Sequence, residues 1–182
     1  MPRLCRSQLE SPIGTILALA SDRGLCALEF ERPRRAGIVL HARLERRLQR
    51  FFPAHEIVDE VTPILARTRD WLSAYFDGVS AEAADLPLDL RGAPFERRVW
   101  TALVDIPPGA TSSYGVIAAR LGAPGASRAV GAANGANPVS IIVPCHRVIG
   151  SSGKLTGYGG GLDRKQWLLN HEARWRPQAS LF

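Results

Sequence analysis

The sequence predicts an α+β protein. It reads as a small N-terminal α/β domain over residues 1–90, a mostly helical domain with a helix-turn-helix over 91–175, and a tail over 176–182. Three observations carry this. Two short apolar runs around a Ser-Asp-Arg-Gly turn, followed by a long amphipathic stretch, predict a sheet with a helix against it. Residues 79–94 change character, with two prolines and few long apolar runs. Beyond them, short helical segments alternate with Gly- and Pro-containing turns. A chain of 182 residues buries a sizeable core without disulfide or metal staples. A composition 46% hydrophobic and 22% charged excludes wholesale disorder.

Residues 12–30 (PIGTILALASDRGLCALEF) read as two strands on either side of Ser21-Asp22-Arg23-Gly24, a run of turn-forming residues. Residues 37–51 place Ile38, Leu40, Leu44, Leu48 and Phe51 at helical spacing among arginines. Residues 63–76 predict a clearer helix. Thr62 caps it, Pro63 suits its first turn, Ile64, Leu65, Thr68, Trp71, Leu72, Tyr75 and Phe76 share a face, and Asp77-Gly78 ends it. Past a boundary near residue 90, Phe95, Val99, Trp100 and Leu103 mark another amphipathic helix, broken by Asp105-Ile-Pro-Pro-Gly109. Helical segments 113–121 and 126–136 follow, separated by Gly122-Ala-Pro-Gly125 in the order of a helix-turn-helix.

Charge divides along the same line. Residues 1–90 carry twelve Arg against thirteen acids and sum to −1; residues 91–182 carry nine Arg and two Lys against four acids and sum to +7. Concentrated basic charge predicts a polyanionic partner, although a basic chain can also be basic for solubility alone. No run approaches the roughly 18 apolar residues of a membrane span, and MPRLCRSQLESP has no apolar stretch suited to a secretory leader. Three widely spaced cysteines, Cys5, Cys26 and Cys145, do not make a disulfide framework, so a reduced, cytoplasmic chain is expected.

The segment 126–136 (ASRAVGAANGA) is built mostly of Ala, Gly and Ser. Each of its two internal glycines costs a helix about 1 kcal/mol, so close approach to another surface must offset them. That surface is either a neighbouring helix or DNA. With Arg128 as its one long cation, this helix offers almost none of the Arg, Asn and Gln side chains that read base edges. It suits the minor groove, with Arg128 projecting into the base stack. The segment Asn137-Pro-Val-Ser-Ile-Ile-Val-Pro-Cys-His-Arg-Val-Ile-Gly150 follows. Its β-branched run predicts a short buried strand over Ser140–Val143, after which Pro144 fixes the backbone at Cys145-His146. A thiol is a nucleophile as thiolate, which a nearby His or positive environment favours. Adjacent side chains on an extended segment diverge, so the pair alone also describes an ordinary buried thiol.

Pro144-Cys145-His146-Arg147-Val148 resembles the 6-O-alkylguanine-DNA alkyltransferases, also called methylated-DNA-protein-cysteine methyltransferases. Arg128-Ala-Val-Gly131, Asn137-Pro138, Tyr158-Gly-Gly-Gly161 and Lys165-Gln-Trp-Leu-Leu-Asn-His-Glu172 support this. So do Leu86-Pro-Leu-Asp-Leu-Arg-Gly92 and Phe95-Glu-Arg-Arg-Val-Trp100, and the likeness covers about residues 10–175. It implies a ribonuclease H-like first domain and a winged-helix-like second. The implied reaction is stoichiometric, irreversible transfer of an alkyl group from 6-O-alkylguanine in double-stranded DNA to the protein's own cysteine, after minor-groove binding and base flipping. Activity on 4-O-alkylthymine and cooperativity on DNA are left open. The resemblance implies a monomer associated with the nucleoid, no membrane and no cofactor.

Carried over residue by residue, Cys145 is the alkyl acceptor, His146 its base through a water, and Glu172, in a helix predicted over 163–173, the group that orients the His. Tyr114 is implied to bind a phosphate and help protonate the leaving guanine. Arg128 fills the gap left by the flipped base, with Ala129 and Gly131 beside it on the DNA-facing helix. Asn137 is the hinge between that helix and the active-site segment, and Ser151 touches the DNA backbone. Val148, Tyr158 and Gly159 are implied to line the base pocket, with residues 153–161 as the loop that closes it. Some members hold zinc with two Cys and two His. Here Cys5, Cys26, His41 and His55 show no metal-ligand spacing, so a metal-free domain is expected. Ser140 and Gly159 stand where some members carry Pro and Ser, which bears on selectivity for large alkyl groups. Two other readings compete: a non-catalytic damage-binding module, against which the presence of Cys145 argues, and a Cys–His hydrolase with repeated turnover.

Overall fold

A computed structural model describes residues 1–31, 42–79 and 85–175. The first unit contains β1 (Arg3–Leu9), β2 (Ile16–Ala20), β3 (Leu25–Phe30), α1 (Ala42–Phe51), β4 (Glu56–Asp59) and α2 (Pro63–Phe76). The strands form one sheet in the order β3-β2-β1-β4. β2 runs antiparallel to both neighbours, with Cys5 opposite Ala20 and Ile16 opposite Phe30, while β4 lies parallel to β1 with Arg3 opposite Glu56. β2 is buried at every position because both faces are covered. Leu17 and Leu19 join Leu4, Cys26, Leu44 and Leu48 on the α1 side. Ile16, Ala18 and Ala20 join Leu28, Leu65, Leu72 and Tyr75 on the other, the alternation a pleated strand imposes.

β2, β3 and α2 fall where the sequence places them. The Thr62 side chain accepts from the amide of Leu65, at 3.3 Å, and Asp77 caps the far end. β1 and β4 escape a pattern reading: β1 mixes polar and apolar residues, and β4 is only four residues long. The expected helix 37–51 is seen from Ala42 onward, and Ile38, Leu40 and His41 lie outside the described residues.

The second unit contains α3 (Pro94–Val104), α4 (Tyr114–Arg120), α5 (Ser127–Gly135), a 3₁₀ turn at Cys145–Arg147, α6 (Leu162–Glu172) and a further 3₁₀ turn at Ala173–Trp175. β5 (Ser112–Ser113) and β6 (Val148–Ile149) form a short parallel pair. α4 and α5 make the helix-turn-helix, with Gly122 in the left-handed conformation between them (φ 72°). Val99, Trp100 and Leu103 of α3 are buried, and Trp100 donates its indole N–H to the Ala133 carbonyl of α5 at 2.8 Å. The architecture is thus α+β. No described helix is long and apolar enough to cross a membrane.

Residues Ser140–Val143 correct the sequence reading: they form a buried turn, not a strand. Val139 makes a single bridge to Leu28, and Ile141 adopts φ 72°, an unfavourable conformation for a β-branched residue. Asn137 holds the turn. Its Oδ1 accepts from the Val139 amide at 3.0 Å and its Nδ2 donates to the Val143 carbonyl at 2.8 Å. The β-branched run reported burial, while a side-chain amide supplied bonds that a ladder would otherwise make.

The outer edge of β3 joins the two units. The Leu25 amide donates to Pro87 O (2.8 Å) and the Asp89 amide to Leu25 O (2.9 Å); further along, Leu28 N donates to Pro138 O (2.8 Å) and Ser140 N to Leu28 O (2.9 Å). An edge strand that would otherwise expose unpaired backbone therefore carries both the connector and the approach to Cys145. One core runs continuously from Leu28 and Tyr75 through Trp100 and Val139 to Cys145 and Leu168.

Gly24 sits where this seam is tightest: a Cβ there would lie 2.5 Å from the Pro87 carbonyl oxygen. Gly24→Ala is expected to cost roughly 1–3 kcal/mol by forcing backbone apart. The change is to be read as a lower denaturant midpoint at unchanged slope.

Candidate active site and nucleic-acid interface

Pro144 leads into the 3₁₀ turn that buries Cys145, His146 and Arg147 together. This turn does what an extended segment cannot: it lets adjacent residues serve one interior site. Cys145 is 5% exposed, and its carbonyl accepts from Asn134 Nδ2 at 3.2 Å. Burial pushes its thiol pKa up, while the Asn137 side chain and the charges of Lys165 and Arg43 pull it back toward the thiolate. Cys26 shows the contrast. Burial pushes that thiol up to about 12, and it donates to Leu19 O at 3.3 Å, as an inert core thiol does. All three cysteines are free thiols.

Glu172, at the end of α6, has no exposed surface. Burial opposes its ionisation, but hydrogen bonds and charge from His146 and Arg147 outweigh this and hold the carboxyl well below the usual carboxylate range. Arg147 grips it in a fork, Nε to Oε2 and Nη2 to Oε1, both at 2.8 Å, and donates Nη1 to Ile106 O at 2.5 Å. The Gly109 amide donates to Oε2 at 3.3 Å and the Tyr75 hydroxyl to Oε1 at 2.8 Å. His146 Nε2 lies 2.8 Å from Oε1. Facing a carboxylate, this nitrogen carries the proton, which leaves Nδ1 as a lone-pair acceptor with no protein partner. Burial lowers the His146 pKa and Glu172 opposes that, so the ring rests neutral and ready to accept a proton.

A cleft of about 750 Å³ opens beside this interior cluster, lined by Tyr114, Arg128, Gly131, Ser151, Tyr158 and Gly159, and also by Arg43. Ser113 caps α4 and so fixes Tyr114 at its first position; the Tyr114 hydroxyl lies 3.0 Å from that of Thr156. Arg128 and Ala129 are exposed on α5, while Val130, Ala133 and Asn134 face the core. Gly131 looks at the Tyr114 ring, so one of the two internal glycines serves helix packing; a Cβ at Gly135 would meet nothing. The Tyr158 hydroxyl is buried, and burial, then the charge of Cys145, pushes its pKa well up. Tyr158 therefore links the cleft to the thiol.

The structure thus places the expected residues in two layers. Cys145, His146, Glu172 and Asn137 are interior, and the six cleft residues are at the surface. Ala129 does not line the cleft, and Val148 is fully buried, its carbonyl accepting from Lys165 Nζ at 2.6 Å. Tyr75, Arg147, Lys165 and Arg43 were not anticipated. Lys165 and Arg147 lie within recognisable motifs, and a buried cation needs partners, so their types were a usable signal. Arg43 donates to Glu29 (3.3 Å) and, across more than ninety residues, to Gly135 O and Asn137 O (3.1 Å), contacts that no local pattern announces. Among the described residues, no group of three or more His, Cys, Asp and Glu is placed to hold a metal.

Family models for the 6-O-methylguanine DNA methyltransferase ribonuclease-like domain and DNA binding domain match residues 4–90 and 94–174. A methylated-DNA–protein-cysteine methyltransferase of Salmonella typhimurium is 45% identical over 94% of this chain and 97% of its own. One of Mycolicibacterium paratuberculosis is 67% identical over 58% of this chain; the chain spans 64% of that relative's length. Among solved structures, the Mycobacterium tuberculosis O6-methylguanine methyltransferase superposes with a TM-score of 0.77 at 43% identity, covering 98% of this chain and 96% of that one. The same organism's enzyme in complex with DNA gives 0.75 at 43% identity, covering 97% and 96%.

The buried carboxylate sets an acid dependence. Because the folded pKa of Glu172 is depressed, its stabilisation is complete above the unfolded value near 4.3 and is lost as pH falls toward the lower folded value. Glu172→Gln is expected to cost about 3–5 kcal/mol at neutral pH by leaving Arg147 buried and uncompensated. It is also expected to flatten the fall in stability below about pH 4. Denaturant titrations at pH 3 to 7 check both.

Proposed function

This chain belongs to the 6-O-methylguanine DNA methyltransferase family, and on that premise we propose that it repairs DNA by moving the alkyl group of 6-O-alkylguanine onto Cys145. The observation that carries the reading is the buried Cys145–His146 turn, with His146 bonded to Glu172, in a core against which Tyr158 packs while also lining a cleft that displays Arg128 and Tyr114. α5 lies in the minor groove, bound through Arg128 and the backbone of its small-residue face, and the phosphates are met by the basic half of the chain. Arg128 takes the place of the flipped base, which enters the cleft past Tyr158 and Gly159. Ser151 and Tyr114 hold the DNA backbone.

In the chemical step His146 Nδ1 accepts the Cys145 proton through a water, and Glu172 stabilises the imidazolium. The thiolate sulfur attacks the alkyl carbon; the C–S bond forms as the C–O bond breaks, and the electron pair stays with guanine. Tyr114 gives a proton to the leaving base. The product is a thioether on Cys145 that no group in the site hydrolyses, so one chain removes one alkyl group. The chain acts as a monomer in the cytoplasm without a cofactor, and its N-terminal unit supports the acceptor site.

Incubation with DNA bearing methyl-labelled 6-O-methylguanine is expected to place at most one label on each chain. Cys145→Ser is expected to abolish transfer and to keep DNA binding; label transfer surviving that substitution would sink the mechanism, and turnover beyond one would indicate a hydrolase. Arg128→Ala is expected to slow repair on the order of tenfold or more, the loss of one strong contact in the flipped complex. Cys145 alkylation by a small thiol reagent is expected to stay near the wild-type rate in that variant, and an equal loss in both assays would assign Arg128 to folding.

A further inference from the structure

We propose that Tyr75 is a positioning residue for the acceptor site: its phenol, carried on α2 of the first unit, holds Oε1 of Glu172 and through it sets the imidazole of His146. The role rests on the function proposed above. Tyr75 has no exposed surface, and its hydroxyl donates at 2.8 Å to the same carboxylate oxygen that lies 2.8 Å from His146 Nε2. The other partners of this carboxylate come from the Cys145–Arg147 turn and from Gly109; Tyr75 brings the first unit into the site.

The ring is fixed from several directions. Trp71 stacks on it at 5.3 Å, Phe76 and Trp175 meet it edge-on, and His171 Nε2 lies 2.7 Å from its carbonyl. A phenylalanine would satisfy all of that packing. A buried hydroxyl is costly unless paired, so its presence calls for an explanation, and its partner is the carboxylate that orients His146. A neutral donor withdraws charge from Oε1 and moderates its hold on the imidazolium. The groups that share this field are Arg147, Lys165, Cys145 and Tyr158 around the site, with His171 behind the Tyr75 ring.

Two substitutions test this in the full chain. Tyr75→Phe keeps the ring and removes the donor; 3-fluorotyrosine at the same position keeps the donor and strengthens it. The readouts are the titration of the His146 ring by nuclear magnetic resonance and the pH profile of Cys145 carboxamidomethylation, followed by mass spectrometry of the Cys145 peptide. In Tyr75→Phe the ring is expected to titrate higher by about half a unit or more, roughly threefold in proton affinity. With fluorotyrosine it is expected to titrate lower, and the carboxamidomethylation profile to move in opposite directions in the two variants. Leu72→Ala, a packing control on the same helix, is expected to lower stability and move neither readout. Profiles coincident with wild type in both Tyr75 variants overturn the role. Carboxamidomethylation needs no DNA. A wild-type chain that takes no label from 6-O-methylguanine, with these shifts present, therefore overturns the repair reading and leaves Tyr75 its position.

Discussion

Glu172 is ionised with no access to solvent, and the site is organised around that charge. Burying a carboxylate costs several kcal/mol, which an ion pair repays only with good geometry and further hydrogen bonds. Here the forked Arg147, the Gly109 amide, the Tyr75 hydroxyl and His146 supply them. An apolar cluster of the same volume would stabilise the fold at least as well. The pair is better understood as a device for orientation: it fixes the His146 tautomer, and with it the lone pair at Nδ1.

The charge reaches further because its partners come from distant parts of the chain. Tyr75 belongs to the first unit, Arg147 and His146 to the turn after Pro144, and Glu172 to the last long helix. The outer edge of β3 completes the tie, since Leu28 pairs with the segment immediately before Cys145 and Leu25 with the connector. Arg43 adds contacts from α1 to Gly135 at the end of α5 and to Asn137 just beyond it. A core shared between the units makes the N-terminal sheet the floor on which the Cys145–Arg147 turn is built.

The cysteines show how environment distinguishes one thiol from another. Cys26 and Cys145 are both buried near two cations, yet Cys26 also faces the charge of Asp89, while Cys145 has the Asn137 side chain acting on it. The overall charge of +6 conceals a similar partition. The cations of the second half divide between solvent-facing ones, among them Arg128, and the interior Arg147 and Lys165. The exposed cations face outward; the interior ones answer to a carboxylate and a thiol.

Periodicity and composition by themselves determined the α+β class, β2 and β3, α2 with its Thr62 cap, and the small-residue helix carrying Arg128. These depend on interactions within a few residues, which the sequence displays directly. The Pro-Cys-His-Arg motif marked the thiol proposed as the alkyl acceptor and its neighbours. Only the tertiary structure decided that Ser140–Val143 is a turn, because Asn137 outcompetes a ladder there; that Val148 is fully buried and does not line the cleft; and that Tyr75, Lys165 and Arg43 converge on the site. Local pattern reports whether a residue is buried, but what it is buried against depends on closure between distant parts of the chain, 97 residues apart for Tyr75 and Glu172.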